Sequence, residues 1–258
     1  MTDAAPAPVH VEADAGVLLI TLNRPEARNA VNGALAETLA ATLDRFEAED
    51  ELKVAVLTGA GGTFCAGMDL KAFVRGERPW VGDRGFAGIT QRSARKPIIA
   101  AVEGYALAGG FEIALSCDLI VAARDARFGI PEVKRGLVAG AGGLIRLPKR
   151  IPYHLAMELA LTGDPIDAQR AYELGVVNRV TDSGQAVGAA RELAATIARN
   201  SPLAVDASKR IVQQALEWTE EEAWTKQGEI AGPVFASEDA QEGARAFAEK
   251  RDPVWRGR

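Results

Sequence analysis

The sequence predicts an α/β fold, on three observations. Short apolar runs recur at Val17–Leu22, residues 54–57, Ile98–Val102 and residues 119–122, each short enough for a strand. Leu35, Leu39, Leu43 and Phe46 recur between the first two at helical spacing. Beyond residue 182 no run reads as a strand, and helix-start signals take over. Alternation of strands and helices argues for an α/β core.

Taken in order, the Ala- and Pro-rich first ten residues read as a frayed tail, with structure beginning at Val17. A strand, helix, strand unit follows to residue 57. Residues 75–96 carry four glycines and many charges without periodicity, which predicts a mobile substrate loop. A strand then leads into a glycine turn and a helix, and another strand follows. Ser201 with Pro202, Thr219 with Glu222, and Ser237 with Glu238 and Asp239 mark three late helix starts. These divide the chain into a core, residues 1–200, and a helical region, residues 201–258. Val205, Ile211, Val212, Leu216, Trp218, Trp224, Val234 and Phe247 make that region too apolar for a free tail. No sequence repeat of fixed period is present.

At 258 residues, 48% hydrophobic and 25% charged, the chain has length for a sizeable core. A net charge of −5 and a pI near 5.3 disfavour nucleic acid or an anionic membrane as main partner. Cys65 and Cys117 are too few and too far apart for a disulfide framework or a zinc cluster, so a reduced cytoplasm fits. No run of about 18 apolar residues spans a membrane, and the N-terminus lacks a signal-peptide pattern. No metal set and no cofactor motif is found.

Two glycine turns carry the chemistry. Residues 58–70 leave a strand through Gly59, Gly61, Gly62 and Gly67 towards Met68, Asp69 and Leu70, where backbone can approach a ligand closely. Residues 103–112 lead from a strand into a helix through Gly109 and Gly110, so that unpaired amides and a positive helix end coincide. Neither turn ends in the phosphate-loop Gly-Lys-Ser/Thr or has dinucleotide spacing. Together they read as an oxyanion hole, with Glu112 one helical turn away.

Phe64-Cys65-Ala66-Gly67-Met68-Asp69-Leu70 and residues 104–118 resemble the signatures of the crotonase, or enoyl-CoA hydratase/isomerase, superfamily. The similarity extends to Arg24-Pro25-Glu26-Ala27-Arg28-Asn29-Ala30, residues 128–147, residues 171–180 and Phe247-Ala248-Glu249-Lys250-Arg251. It implies a spiral of β-β-α units followed by helices that assemble a homotrimer or a dimer of trimers. The amides of Met68 and Gly109 are then the donors to the thioester oxygen of an acyl-CoA, which is substrate rather than cofactor.

Glu112 and Glu132 match the paired glutamates of enoyl-CoA hydratases. The resemblance implies that Glu112 orients and helps deprotonate water while Glu132 supplies the α-proton. It also implies a CoA-binding set: Ala27, Arg28, Ala30, Ala66, Gly67, Met68, Asp69, Leu70, Gly110 and Lys250, with Arg251 beside it. Trp80 and Phe86 are candidates to contact the acyl chain. Cys65 reads as a small packing residue, and His10 and His154 lie in no nucleophile motif. Residues 108–112 and 142–149 also resemble the carnitinyl-CoA dehydratase branch, which leaves crotonobetainyl-CoA hydration and double-bond isomerisation as alternatives. A non-catalytic acyl-CoA-binding scaffold is the alternative of a different class; an RNA-binding role gains nothing from the charge.

Overall fold

The computed structural model describes residues 6–258. β1 (Val9–Asp14) and β2 (Val17–Leu22) form an antiparallel hairpin turning at Ala15 and Gly16, both at positive φ. Only Val9 of β1 is buried, so this edge strand has no apolar run to announce it. The expected tail is therefore corrected at residues 9 and 10; the part covering residues 1–5 lies outside the described residues.

The chain continues through α1 (Gly33–Ala48), β3 (Val54–Gly59), α2 (Leu70–Val74) and a ribbon of β4 (Trp80–Val81) and β5 (Gly85–Phe86). Next come β6 (Ile98–Val102), β7 (Tyr105–Leu107), α3 (Gly109–Ser116), β8 (Leu119–Ala123), β9 (Arg127–Gly129) and a 3-10 turn, Pro131–Arg135. α4 (Gly143–Arg150), α5 (Tyr153–Thr162), β10 (Ile166–Asp167), α6 (Ala168–Glu173), β11 (Arg179–Thr181) and α7 (Ala186–Ala198) complete the core. α8 (Pro202–Ala215), α9 (Glu220–Phe235) and α10 (Glu238–Glu249) follow. This is an α/β fold with helices at its C-terminal end, as the sequence predicts.

The main sheet has the order β1-β2-β3-β6-β8-β11, parallel from β2 onwards. One face buries the α1 stripe of Leu35, Leu39, Leu43 and Phe46, as the spacing predicts. On the other face Val17, Leu19, Val54, Val56, Ile99, Ala101 and Val121 meet Ala186, Ala190 and Ala194 of α7. A sheet covered on both sides needs apolar residues without alternation, which is why these strands read as continuous runs.

A second sheet, β10-β9-β7, stands beside the first. β6 passes into β7 and β8 into β9, so each pair contributes one strand to each sheet before a helical turn. β3 repeats the pattern: Cys65, beyond its end, pairs in parallel with Ala106 of β7. The spiral is a repeat in space with no repeat in sequence, because its shared features are backbone turns.

Residues 84–90 form a packed wall, which corrects the expectation of a mobile loop over that part of residues 75–96, while residues 82–83 and 91–93 are exposed. Phe86, Ala87, Ile89 and Thr90 are buried, and buried Arg84 pairs with Asp44 of α1. Positive φ at Gly82, Gly85 and Gly88 folds the segment back on itself, and such turns erase periodicity.

All three late helix starts are capped as expected. Ser201 accepts from the Ala204 amide, Thr219 and Glu222 form a capping box, and Ser237 accepts from Ala240. α8 meets the core through Lys209 and Gln213, both bonded to Asp118 at 2.6 and 3.0 Å. Neither α8 nor α9 has a buried residue.

Close approach of turns and not turn geometry alone demands glycine at position 110, where a Cβ would collide with the Cys65 carbonyl. Gly110→Ala is expected to cost about 1–3 kcal/mol by overpacking. Gly188, exposed in α7 with open space around it, is the control: Gly188→Ala should stabilise by about 0.5–1 kcal/mol. Denaturant midpoints of the two variants check both signs.

Candidate active site

The site is built from three strand ends in one register. Cys65 pairs with Ala106, and Ala106 with Phe128, all in parallel. Three residues further on lie Met68, Gly109 and Pro131, and the next row is Asp69, Gly110 and Glu132. Adjacent parallel strands are about 4.8 Å apart, so these junctions lie side by side.

At the first two junctions the backbone leaves the sheet with amides to spare. Val31 donates to Gly67 and accepts from Asp69, which skips Met68. Ala108 donates to Gly129, and Ala108 in turn accepts from Phe111 and Glu112, which skips Gly109. Neither amide has an acceptor among the described residues. A Cβ on Gly67 would lie 3.0 Å from the Gly109 nitrogen, so the two turns are in contact. Amides at one register on neighbouring strand ends can converge on a single oxygen. The Gly109 amide also stands at the N-terminus of α3, where the helix dipole favours negative charge.

Several groups hold this geometry. Ala108 takes φ +53° and ψ −132°, a left-handed conformation that strains a residue with a Cβ. Phe86 packs on Gly109: a Cβ there would be 2.5 Å from the ring. On the other turn, buried Asn29 donates to the carbonyls of Ala60 and Thr63 at 2.9 and 2.6 Å. Cys65 donates to Asn29 and accepts from the Gly67 amide. Burial pushes the Cys65 thiol up to about 12, which suits a structural thiol rather than a nucleophile.

Glu112 is buried in the first turn of α3. Its Oε1 accepts from the amides of Ala141 and Gly143, each at 2.8 Å. Burial raises its carboxyl above the ordinary value, and these amides and Arg146 oppose that rise. Glu132 sits in the 3-10 turn after β9, and its Oε2 is buried with no hydrogen-bond partner. Burial raises it to about 7, opposed by its own backbone amide and reinforced by the Glu112 charge. One carboxyl is clamped by donors and the other is left free to hold a proton.

The expected CoA-binding residues are brought together in part. Ala66 donates to the Arg28 carbonyl at 3.0 Å, and Ala30 donates to Ala27, so the segment with Ala27, Arg28 and Ala30 borders Ala66 to Asp69. Asp69 caps α2; burial works against its charge, but the Ala72 amide and Arg24, at 3.0 Å, hold it below the usual range. Leu70 is exposed. Arg28 is exposed and makes no ion pair among the described residues. Lys250 caps α10, and no hydrogen bond or ion pair joins its side chain to the other site residues. Arg251 is engaged by Glu242 and Glu249. Phe86 supports Gly109, and half-exposed Trp80 stands edge-on to it, centroids 5.2 Å apart. His10 and His154 are exposed, and among the described residues no cluster of His, Cys, Asp and Glu could hold a metal. Sequence reasoning missed Ala141 and Gly143; the run Gly140-Ala141-Gly142-Gly143 was the available signal for a turn offering amides.

The family model for enoyl-CoA hydratase/isomerase matches residues 12–258. The chain belongs to this family. An enoyl-CoA hydratase of Mycobacterium tuberculosis H37Rv is 58% identical with TM-score 0.96, covering 98% of this chain and 100% of that one. An enoyl-CoA hydratase of Mycobacterium marinum gives the same values. A carnitinyl-CoA dehydratase of Salmonella enteritidis is 43% identical over 97% of this chain and 98% of its own length. Within this family fold, the free amides and the two glutamates occupy one end of the second sheet.

A raised carboxyl has a consequence for stability. Glu132 binds its proton more tightly folded than unfolded, so its contribution is full below its ordinary value of 4.5 and is lost as pH rises to about 7. Glu132→Gln removes that loss. Its melting temperature should exceed the wild-type value by a margin that opens across this window and stays constant above it; a constant margin from acid to alkaline pH would contradict the buried, proton-holding carboxyl.

Proposed function

We propose that this protein is an enoyl-CoA hydratase, adding water reversibly across the 2,3 double bond of a 2-enoyl-CoA. The observation that carries the reading is the pairing of two unengaged amides, at Met68 and Gly109, with one clamped carboxylate and one proton-holding carboxyl.

The thioester oxygen is held between the amides of Met68 and Gly109. Ionised Glu112 takes a proton from water as the water oxygen bonds to the β-carbon. The double-bond electrons move towards the thioester, whose oxygen becomes negative, and protonated Glu132 delivers its proton to the α-carbon. The pair begins and ends with one proton, shifted from Glu132 to Glu112, and exchange with solvent resets it. Donors preorganised for developing charge act most strongly where water is excluded; loss of one costs about 3–4 kcal/mol. Isomerisation needs only a single acid–base group, so two carboxyls favour hydration.

Names of relatives support this reading: the structures at 58% identity are enoyl-CoA hydratases. The relatives at 43% identity are named carnitinyl-CoA dehydratases, which supports a second substrate, a betaine-type enoyl-CoA, handled by the same glutamates. Arg28 is available for CoA phosphates. No helix of the described residues is long and apolar enough to cross a membrane, in keeping with a cytoplasmic enzyme.

Residues 201–258 serve assembly in this reading. Val212, Leu216, Trp224, Phe235 and Phe247 are each at least 71% exposed, more large apolar surface than water favours at one end of a chain. A trimer or a dimer of trimers covers it and gives Lys250 access to a CoA bound by a neighbouring copy. Light scattering at micromolar concentration should return one of those masses, and a monomer would contradict the assembly.

Turnover is tested on a panel containing crotonyl-CoA and crotonobetainyl-CoA. Glu112→Gln and Glu132→Gln should each lower kcat by roughly 100- to 10,000-fold. The wild-type kcat/KM should be bell-shaped in pH: it falls below the Glu112 value as that base is protonated, and above about 7 as Glu132 loses its proton. Saturable binding of the esters without turnover on any of them would favour the scaffold reading instead.

A further inference from the structure

The turn that clamps Glu112 is itself held from behind. Arg146, on α4, donates from Nη1 to the Ala141 carbonyl at 3.3 Å and from Nη2 to the Thr90 carbonyl at 2.5 Å. Ala141 thus accepts from Arg146 on one side of its residue and donates to Glu112 on the other. Between them Gly142 takes φ +107°, and a Cβ there would overlap the Arg146 guanidinium. The turn is glycine because the guanidinium lies against it.

Thr90 belongs to the packed wall of residues 84–90, the same wall that sets Phe86 against Gly109. One planar cation therefore joins the turn that grips the carboxylate to the wall that supports the oxyanion amide. Arg146 is half-buried, and both its bonds go to neutral carbonyls; no carboxylate lies within ion-pair distance of it among the described residues. Its charge is left to act on Glu112.

We propose that Arg146 is a positioning residue for the reaction: it fixes the Ala141–Gly143 turn so that the Glu112 carboxylate keeps one orientation beside a permanent positive charge. It does so without touching substrate, and the assignment rests on the hydratase reading above. A lysine cannot replace it, since an ammonium lacks the planar fork that reaches two carbonyls at once. The charged groups facing Glu112 are Arg146 from α4 and Glu132 from the 3-10 turn. Glu112 and Arg150 are the charged groups facing Arg146; the Cys117 thiol also faces it, and burial, which raises it, keeps it neutral.

The test compares wild type, Glu112→Gln, Arg146→Ala and Arg146→Lys on one enoyl-CoA across pH. Displacing a catalytic group by about 1 Å costs about 100-fold, and Arg146→Ala should lose kcat on that scale with KM nearly unchanged. Its acid limb should move to higher pH, because the charge that favours ionised Glu112 is gone. Arg146 lines an open cleft of about 1120 Å³ between α4 and α8, so added guanidinium ion should restore part of the lost turnover. Arg146→Lys should keep the limb close to wild type and recover only part of kcat. A loss of kcat with an unmoved limb and no rescue would reduce Arg146 to a structural residue and overturn the proposal; so would wild-type kcat in either variant. If Arg146→Ala fails to fold, the uncharged Arg146→Gln takes its place and is judged by the same limb shift and guanidinium rescue. An active wild type with an inactive Glu112→Gln keeps the hydratase reading standing even where the Arg146 proposal fails; an inactive wild type removes both.

Discussion

The parallel register that aligns Cys65, Ala106 and Phe128 is the constraint on which the site depends. Three strand ends at one level place three exits side by side, and each exit contributes something different. The first contributes the Met68 amide, the second the Gly109 amide and a helix end, and the third the Glu132 carboxyl. A slip of one residue in the second sheet would turn an amide away and reverse the side-chain faces. Glycines 67 and 110 allow the turns to touch, while Ala108 carries strain at the junction.

Electrostatics then separates two chemically identical side chains. Both glutamates are desolvated, which favours the neutral form. At Glu112 burial keeps the carboxyl above its ordinary value, and two amides and a nearby guanidinium oppose that rise. Glu132 has no donor on Oε2 and sits opposite the Glu112 charge, so it keeps its proton to about pH 7. In the proposed reaction acid and base are assigned by surroundings alone, a pattern suited to chemistry that takes a proton from water and gives one to a carbon.

What the sequence made legible follows from which features are written in side chains. Strands β2, β3, β6 and β8, buried on both faces, stood out as apolar runs, and the caps at Ser201, Thr219 and Ser237 stood out by residue type. The glycine turns and Glu112 could be placed because a helix start is readable. β1, with one buried residue, and the three-residue strands β7 and β9 were not legible, although β7 and β9 carry the register of the site. Within residues 75–96 the packed wall of residues 84–90 was misread as loose because glycine turns mask its hydrophobics. The clamp on Glu112 is made of backbone amides some thirty residues away, for which side-chain patterns hold no record. The meaning of Glu132 came from family resemblance, and its unpartnered oxygen came from the fold.

The central claim is that two backbone amides at one register seize a thioester oxygen before any proton moves. The carbonyl stretch of a bound enoyl-CoA, isotope-labelled at the thioester carbon and read by difference infrared spectroscopy, reports on that grip directly. The account predicts a frequency below that of the same ester in water, since two fixed donors beside a helix N-terminus polarise the bond more than solvent does. A bound carbonyl at or above the aqueous frequency would contradict it.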